Sequence, residues 1–446
     1  MPRTTSLSRR RLLAAGTGLA AGLATGCGAG AGGAPDLDAA AEVPTGDVTL
    51  DWWSFRMATA DGGDVRETLV RAFSRRHPNI RVNLVEAPAN TDITRTTLST
   101  AVASGAPSPD LYMGDVAWPA QFAYNALALP LGSLLPGAFW EGFPDALVRA
   151  LSFEDEPYAF PFYIDQSYLY YRADLLDKHG LAVPRTWEEV ARAATAVRRA
   201  GDADMGLVLQ GAVYEGLTAN VAELVADAGG TVLDPTGGRV TLGGAAGERA
   251  FGFLQDALAD GVVPAAVATF KEQDSTDAFT GGRAVFLRNW AYVWGVVEGA
   301  GSPVAGRVGV MPRPGFDGGG PGGHGCLGGW CNFVNPHAAQ PGAAVAFARF
   351  CAGEEAQMII VRDTAYLPAL SAARASDEAR GSRTPTLALA GEVRLVARPT
   401  QSPRYPQVSK ALYTRANTVL SGGASAADAL AGARADMAAA LRGESL

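Results

Sequence analysis

Strand-like and helix-like patterns alternate between residues 48 and 125 of this chain. Short apolar runs are each followed by a segment whose apolar residues recur every three or four positions. The order is strand, helix, strand, helix, strand, helix, over residues 48–55, 64–77, 80–84, 94–104, 110–113 and 118–125. Because parallel strands need such helical crossovers, this order predicts a parallel sheet with helices on its faces.

Length and charge narrow the class of protein. The chain has 446 residues, which is too long for one compact core and predicts two lobes or more. Hydrophobic residues make up 48% and charged residues 18%, as in ordinary globular proteins. The formal net charge of −8 argues against nucleic acid or an anionic bilayer as the ligand.

The N-terminus has the pattern of an export signal. Ser8 is followed by three arginines, which is typical of a twin-arginine signal, and an apolar run then extends to Ala24. The sequence from Ala24 to Cys27 resembles a lipobox, although Ala24 stands where a larger aliphatic residue is usual. We therefore expect a signal peptide over 1–26 and lipidation of Cys27 on the outer face of the cytoplasmic membrane. The alternative is cleavage elsewhere, with Cys27 left free.

Residues 27–46 are rich in Gly, Ala, Pro and acidic residues, which predicts a flexible tether. Gly28, Gly30 and Gly33 formally satisfy a dinucleotide-binding fingerprint. No strand pattern precedes them and no helix pattern follows them, so we expect no nucleotide site there. The sequence indicates no cofactor.

The stretch from Pro161 to Tyr171 combines five aromatic rings with one carboxylate, Asp165. Alternation places Tyr163 and Asp165 on the same face of a strand. A polar ligand that also has flat C–H faces needs this mixture, because rings stack on the faces and a carboxylate accepts hydroxyl hydrogen bonds. The alternative is an edge strand with one face in solvent.

Three further cysteines follow Cys27, namely Cys326, Cys331 and Cys351. Outside the cytoplasm they allow one disulfide with three possible pairings, or they are small buried residues. His324 lies close to two of them, but these residues lack a fourth ligand for a metal site. We therefore expect no metal.

The order of motifs along the chain resembles the sugar-binding lipoproteins of bacterial ABC importers, in the branch similar to trehalose- and maltose-binding proteins. The resemblance covers about Val48 to Leu441. Its motifs are Asp115-Val-Ala-Trp118 with Gln121-Phe-Ala, Pro161-Phe-Tyr-Ile-Asp165 through Tyr170-Tyr-Arg-Ala-Asp-Leu, Pro184-Arg-Thr-Trp-Glu-Glu189, Phe279 with Gly282, Asn289-Trp-Ala-Tyr292, Leu327-Gly-Gly-Trp330, Leu367-Pro-Ala-Leu370, Ala397-Arg-Pro399 and Tyr405-Pro.

The resemblance implies an α/β fold of the type II periplasmic-binding-protein, or Venus-flytrap, class. Two lobes would enclose a ligand cleft, and hinge closure would present the ligand to permease subunits. A monomer is expected. The implied boundaries are 47–160 and 307–362 for the first lobe, and 161–306 and 363–446 for the second.

The same resemblance implies a set of sugar-binding residues. Two carboxylates would accept hydroxyl hydrogen bonds, an arginine would donate to sugar oxygens, and rings would stack on C–H faces. Glycine would let the backbone approach the sugar. The implied residues are Asp115, Tyr163, Asp165, Trp290, Tyr292, Gly329, Trp330 and Arg398. Core packing is the alternative for Trp290 and Trp330, and the preferred role for Trp187, while Arg398 could instead form a salt bridge between the lobes.

One departure concerns the loop after the first strand, where relatives often carry a Glu. This chain has Ser54 and Arg56 there, and either could replace the acidic ligand. The identity of the sugar therefore stays open.

Two other functions compete with transport of a trehalose- or maltose-like sugar. One keeps the fold but binds another oligosaccharide or a glycerol phosphodiester. The other is a secreted glycoside hydrolase that uses Asp115 and Asp165, or Glu154 and Glu156, as its acid and base. In the family that these motifs resemble, no carboxylate pair serves as acid and base, and the chain has no Gly-x-Ser-x-Gly sequence. We therefore expect no catalysis.

Overall fold

The computed structural model describes residues 35–59, 62–88, 91–318 and 322–444. The predicted signal peptide, Cys27 and the first part of the predicted tether lie outside these residues. Within them, no helix combines the length and the apolar character needed to span a bilayer.

Twelve strands are present in this part of the chain, and ten of them form one sheet. Its order is β2-β1-β3-β10-β6-β8-β7, with β9 and β11 on β6 and β12 on β10. The strands are β1 (Val48–Ser54), β2 (Ile80–Glu86), β3 (Leu111–Asp115), β4 (Ser152–Phe153), β5 (Glu156–Pro157), β6 (Phe160–Arg172), β7 (Met205–Val208), β8 (Ala284–Trp290), β9 (Val308–Met311), β10 (His324–Val334), β11 (Leu367–Pro368) and β12 (Arg394–Ala397).

Helices cover the sheet, and two 3₁₀ segments, Ala265–Thr269 and Leu389–Glu392, add to them. The helices are α1 (Leu37–Ala41), α2 (Val65–Arg76), α3 (Thr91–Ala103), α4 (Pro119–Tyr124), α5 (Gly137–Trp140), α6 (Asp145–Ala150), α7 (Ala173–Lys178), α8 (Trp187–Arg199), α9 (Glu215–Asp227), α10 (Gly244–Ala259), α11 (Glu272–Thr280), α12 (Val293–Val297), α13 (Pro341–Ala352), α14 (Glu354–Asp363), α15 (Ser371–Arg374), α16 (Asp377–Arg380), α17 (Pro385–Ala388), α18 (Tyr405–Leu420) and α19 (Ala426–Arg442).

The alternation predicted between residues 48 and 125 is confirmed, with β1 parallel to both β2 and β3. Local chemistry explains where its elements begin. Asp64 caps α2 by accepting from the Arg66 backbone N–H at 3.1 Å. Further along, the Thr186 hydroxyl accepts from Glu189 N at 3.2 Å and so caps the start of α8.

β6 is one continuous strand that runs from the first lobe into the second. Residues 160–166 pair with β10, and residues 167–171 pair with β8. β11 and β9 occupy the remaining edges of the two halves. Twelve of its 13 residues are buried, so the edge-strand alternative is wrong.

The chain leaves the second lobe later than residue 307. β9 pairs with the second-lobe half of β6, and Gly315 bridges to Thr186. The return to the first lobe occurs within β10. The physical reason is that β6 extends beyond the residues that pair with β10. β9 hydrogen-bonds the backbone groups of β6 in this extension, at residues 169–172. Likewise, β11 pairs with the first-lobe half of β6, so residues 367–368 still belong to the first lobe.

Part of the predicted tether is helical. Asp36 caps α1 by accepting from Ala39 N at 3.0 Å. Ala40 is buried, and α1 packs against α13. Gly342 of α13 permits this contact, because a Cβ there would lie 2.9 Å from Ala39 O. The expected flexible segment is therefore ordered from residue 37 to 41.

Candidate functional site

β10 lies between β3 and β6 and aligns three of the implied site residues. Trp330 pairs with Asp115 of β3 on one side and with Tyr163 of β6 on the other. A register shift between Trp330 and Cys331 interrupts the β6 pairing at this point. Asp165 lies two residues further along β6, opposite Gly328. These residues therefore lie on neighbouring strands at the point where the chain passes between the lobes.

An aromatic cluster surrounds Trp330, which is half-buried. Phe55 lies 4.6 Å from it, centroid to centroid, and Trp118 lies 5.7 Å away, both edge to face. Phe55 follows β1 and Trp118 precedes α4, so the cluster stands beyond the carboxyl ends of the parallel strands. The sequence motifs contained Trp118 but did not identify it as a site residue.

Tyr366 links two rings that the sequence identified separately. Its ring centroid is 4.7 Å from that of Tyr163 and 6.0 Å from that of Tyr292. Burial raises the pKa of all three phenols, so they stay protonated and can donate hydrogen bonds at neutral pH. The sequence signal that could have identified Tyr366 is its position directly before the Leu367-Pro motif.

Asp165 is buried, and its carboxylate accepts from the backbone N–H groups of Gln166 and Ala291, each at 2.9 Å. Ala291 follows β8, so this hydrogen bond fixes the position of Trp290 and Tyr292 relative to β6. Burial raises the pKa of Asp165 to about 7, although the two N–H donors oppose the shift.

Arg398 is buried between the two lobes and bonded to two carboxylates. It donates to Asp115 at 2.5 and 3.2 Å, and to Glu215 at the start of α9 at 2.8 Å. Ser409 donates to Glu215 at 2.6 Å, and Tyr405 also donates to it. Burial raises the pKa of Glu215, although Arg398 opposes the shift. The interlobe salt bridge considered as an alternative for Arg398 is therefore present, and sugar binding by Arg398 and Asp115 stays a prediction.

Trp290 ends β8 and is half-buried. The guanidinium carbon of Arg288 lies 4.4 Å from the centroid of its ring. Gly328 of β10 is also close, because a Cβ there would be 2.9 Å from the Trp290 ring. Trp187, by contrast, is buried in the second-lobe core beside Phe253, as predicted.

Gly329 has φ +123°, a conformation that favours glycine. A Cβ at this position would lie against Tyr163 O and 2.7 Å from Ile164 Cα. The close approach that requires glycine is therefore to β6 within the protein. Close approach to a sugar, the role the resemblance implies, stays a prediction.

The two candidate replacements for the missing acidic ligand are both engaged. Ser54 is fully buried and accepts from Arg66 at 3.2 Å. The Arg56 guanidinium donates to the Gly62 carbonyl. Glu86, at the end of β2, accepts from the Arg56 backbone N–H at 3.0 Å and from Arg66 at 2.8 Å. A carboxylate is therefore present at this edge, supplied by the neighbouring strand.

The three cysteines are buried and, within residues 35–444 as described, not disulfide-bonded. Burial raises the pKa of each thiol, that of Cys326 to about 12. His324 contacts Asp227, at 3.2 Å, instead of a cysteine. Among the described residues, no cluster of three or more His, Cys, Asp or Glu side chains could hold a metal ion.

Glu154 and Glu156, one of the carboxylate pairs considered for hydrolysis, lie at the small β4–β5 hairpin. Glu156 accepts from Gly132 N at 2.7 Å. The other pair is engaged as described above, Asp115 by Arg398 and Asp165 by two backbone N–H groups.

Comparison with known proteins agrees with this architecture. Residues 57–358 match the sequence profile of a family described as bacterial extracellular solute-binding protein. The chain belongs to this family. A Deinococcus radiodurans protein named probable ABC transporter-binding protein is 31% identical over 296 residues, covering 65% of this chain and 69% of that protein. Membership of the extracellular solute-binding family implies a location outside the cytoplasm.

Two solved structures show the same two-lobe fold. Maltose-bound MalE3 of T. maritima superimposes with a TM-score of 0.79 and 28% identity, covering 87% of this chain and 98% of that one. A solute-binding protein of Agrobacterium radiobacter K84 in complex with ribitol gives 0.73 and 20%, covering 89% and 99%. The predicted Venus-flytrap architecture of this solute-binding protein is therefore confirmed.

Proposed function

We propose that this protein is the carbohydrate-binding component of an ABC importer. It binds a di- or oligosaccharide of the trehalose or maltose type between its lobes and passes it to permease subunits. The observation that carries the proposal is the row formed by Asp115, Trp330 and Tyr163 across β3, β10 and β6. This row stands at the passage between the lobes, beside Asp165 and Tyr292.

The chemistry of these side chains suits a sugar. Pyranose rings present C–H faces that stack on indole and phenol rings, while their hydroxyls form hydrogen bonds with carboxylates. Half-buried Trp330 and Trp290 supply indoles, and Tyr163, Tyr292 and Tyr366 supply phenols. The likeness to maltose-bound MalE3 supports an α-glucoside.

Ligand release requires the lobes to separate, and Arg398 lies where they would part. In the structure it joins Asp115 of the first lobe to Glu215 of the second. Sugar hydroxyls would compete for the same carboxylate and guanidinium, so hinge closure and ligand binding would share these groups. The protein would act as a monomer, anchored only through lipidated Cys27, and would bind no nucleic acid.

A second candidate keeps the fold and changes the ligand to another oligosaccharide, a glycerol phosphodiester or a polyol. The ribitol complex of the Agrobacterium protein favours including polyols, because the two proteins share the fold. Glu86 supplies a carboxylate on β2, where the motifs did not place one. This carboxylate would also influence which ligand hydroxyls the site binds.

Calorimetric titration tests the proposal, with trehalose, maltose, maltotriose, ribitol and glycerophosphocholine as ligands. We expect a dissociation constant of about 1 µM for at least one α-glucoside, which corresponds to about −8 kcal/mol. Binding of ribitol or the phosphodiester alone would support the second candidate. Steady release of glucose from an α-glucoside would contradict the proposal and indicate a hydrolase.

A further inference from the structure

We propose that Arg288 is a positioning residue for Trp290, and that Glu223 holds Arg288 in place. The inference rests on the proposed function, since it assigns to Arg288 the orientation of a ring against which a sugar stacks. Neither Arg288 nor Glu223 belongs to the site residues implied by the sequence.

The first observation is the stacking of Arg288 on Trp290. The guanidinium carbon is 4.4 Å from the ring centroid, within the range of a cation–π contact. Arg288 is 1% exposed, whereas Trp290 is half-buried. The guanidinium therefore packs on the indole from within the protein while part of the indole stays accessible.

The second observation is how many groups hold the guanidinium. Arg288 donates to both carboxylate oxygens of Glu223, through Nε at 3.0 Å and through a second nitrogen. Another nitrogen donates to Gln210 at 2.7 Å. A bidentate pair with a further acceptor fixes the plane of the guanidinium as well as its position.

Glu223 also connects three strands of the sheet, β6, β8 and β10. It accepts from Ser167 of β6 at 2.5 Å and from the Cys326 N–H of β10 at 2.9 Å, while Arg288 comes from β8. Glu223 is fully buried on α9. A single carboxylate therefore sets the relative position of three strands next to the site.

Charges balance within this buried group. Arg313 lies 3.2 Å from Glu223 and 3.3 Å from Asp227, so two guanidiniums face two carboxylates. Burial alone would raise the pKa of Glu223, but the two arginines lower it below its usual value. The pair stays ionised, which a rigid support for Trp290 requires.

Arg313 provides a matched control. It is buried like Arg288, contacts the same Glu223 carboxylate, and lies 5.0 Å from the ring centroid of a tryptophan. That tryptophan is Trp187, which is buried in the core instead of at the site. Arg313→Lys and Arg288→Lys therefore both perturb the contacts of Glu223. The first changes the packing on Trp187 and the second the packing on Trp290.

The experiment combines ligand titration with a double-mutant cycle. Arg288→Lys keeps the charge but loses the planar face of the guanidinium. Its affinity for the sugar that the wild-type protein binds should be about tenfold lower. In a Trp290→Ala background the same change should alter binding less than twofold. Arg313→Lys should change binding less than twofold in the wild-type background. Equal weakening by both lysine variants, or an undiminished effect without Trp290, would overturn the inference.

A ligand-free readout separates this inference from the proposed function. Near-ultraviolet circular dichroism should show that Arg288→Lys removes signal that Trp290→Ala also removes, and that Arg313→Lys leaves this signal intact. If no carbohydrate binds wild type, the proposed function fails while this spectral result still tests the support of Trp290. Should Arg288→Lys fail to fold, Gln210→Ala, which removes one acceptor of Arg288, takes its place with the same outcomes expected.

Discussion

Arg398 and Asp115, separated by 283 positions in sequence, form two hydrogen bonds at 2.5 and 3.2 Å between the lobes. Glu215 accepts a third from the same guanidinium. Buried Asp115 and half-buried Glu215 therefore share one cation at the point where the lobes meet.

Arg398→Met should destabilise the protein, because it leaves buried Asp115 and half-buried Glu215 without their counter-charge. We expect the free energy of unfolding to fall by about 3 kcal/mol in urea. Small-angle scattering should also show a larger radius of gyration for the ligand-free variant, since the lobes lose a direct link. Arg442→Met, which removes an exposed pair with Glu444, should leave both measurements unchanged. Wild-type stability in Arg398→Met would contradict this account of the salt bridge.

Asp165 should make the protein less stable as the pH rises. Its pKa is about 7 in the folded chain, above the ordinary 3.8, so the folded state binds more protons than the unfolded state between these values. The free energy of unfolding should therefore fall between pH 4.5 and 7.5 relative to that of Asp165→Asn. Urea denaturation at several pH values measures the difference between the two proteins. Parallel pH profiles would show that the Asp165 pKa is not raised.

Gly329→Ala should destabilise the fold by about 3 kcal/mol, because the new Cβ is strained at φ +123° and lies against β6. Gly180→Ala is the matched control, since Gly180 has φ +62° and no atom beyond its neighbouring residues lies within 4 Å of the position that its Cβ would take. It should cost only about 1 kcal/mol. Thermal and urea unfolding give both values, and equal losses would mean that contact with β6 is unimportant.

Cys326, Cys331 and Cys351 should resist thiol reagents in the folded protein. They are buried and their pKa values are raised, so little reactive thiolate is present at neutral pH. In a Cys27→Ser variant, Ellman's reagent should detect no thiol before unfolding and three afterwards without reductant. Detection of a single thiol after unfolding would instead reveal a disulfide in the secreted protein.

The sequence predicted the first-lobe elements well because their periodicity is local. The spacing of apolar residues places each boundary within a few residues of the observed one. The position at which the chain returns to the first lobe, within β10, was harder to predict from sequence. The short apolar pattern of β9 would be the same whichever half of β6 it paired with. Pairing over such distances leaves no mark in local periodicity.

For the site, too, local patterns could be predicted from the sequence and long-range contacts could not. Tyr163 and Asp165 were predicted as site residues because one strand carries both, and the family motifs supplied Trp330 and Arg398; their part in binding stays a prediction. Glu215 was missed as a partner of Arg398, since it begins a helix 183 positions earlier in the sequence. Glu223 was missed for a similar reason: among its helical neighbours in the sequence nothing indicates that three strands donate to it.

β10 has a consequence for how the chain acquires its structure during synthesis. β3 has β1 on one side and β10 on the other, yet β10 is translated only after most of the second lobe. As the chain emerges from the ribosome, one edge of β3 therefore stays unpaired until β10 has been synthesised. During that time it can pair with other chains. The N-terminal lobe is begun first but can be completed only when residues 324–334 have appeared.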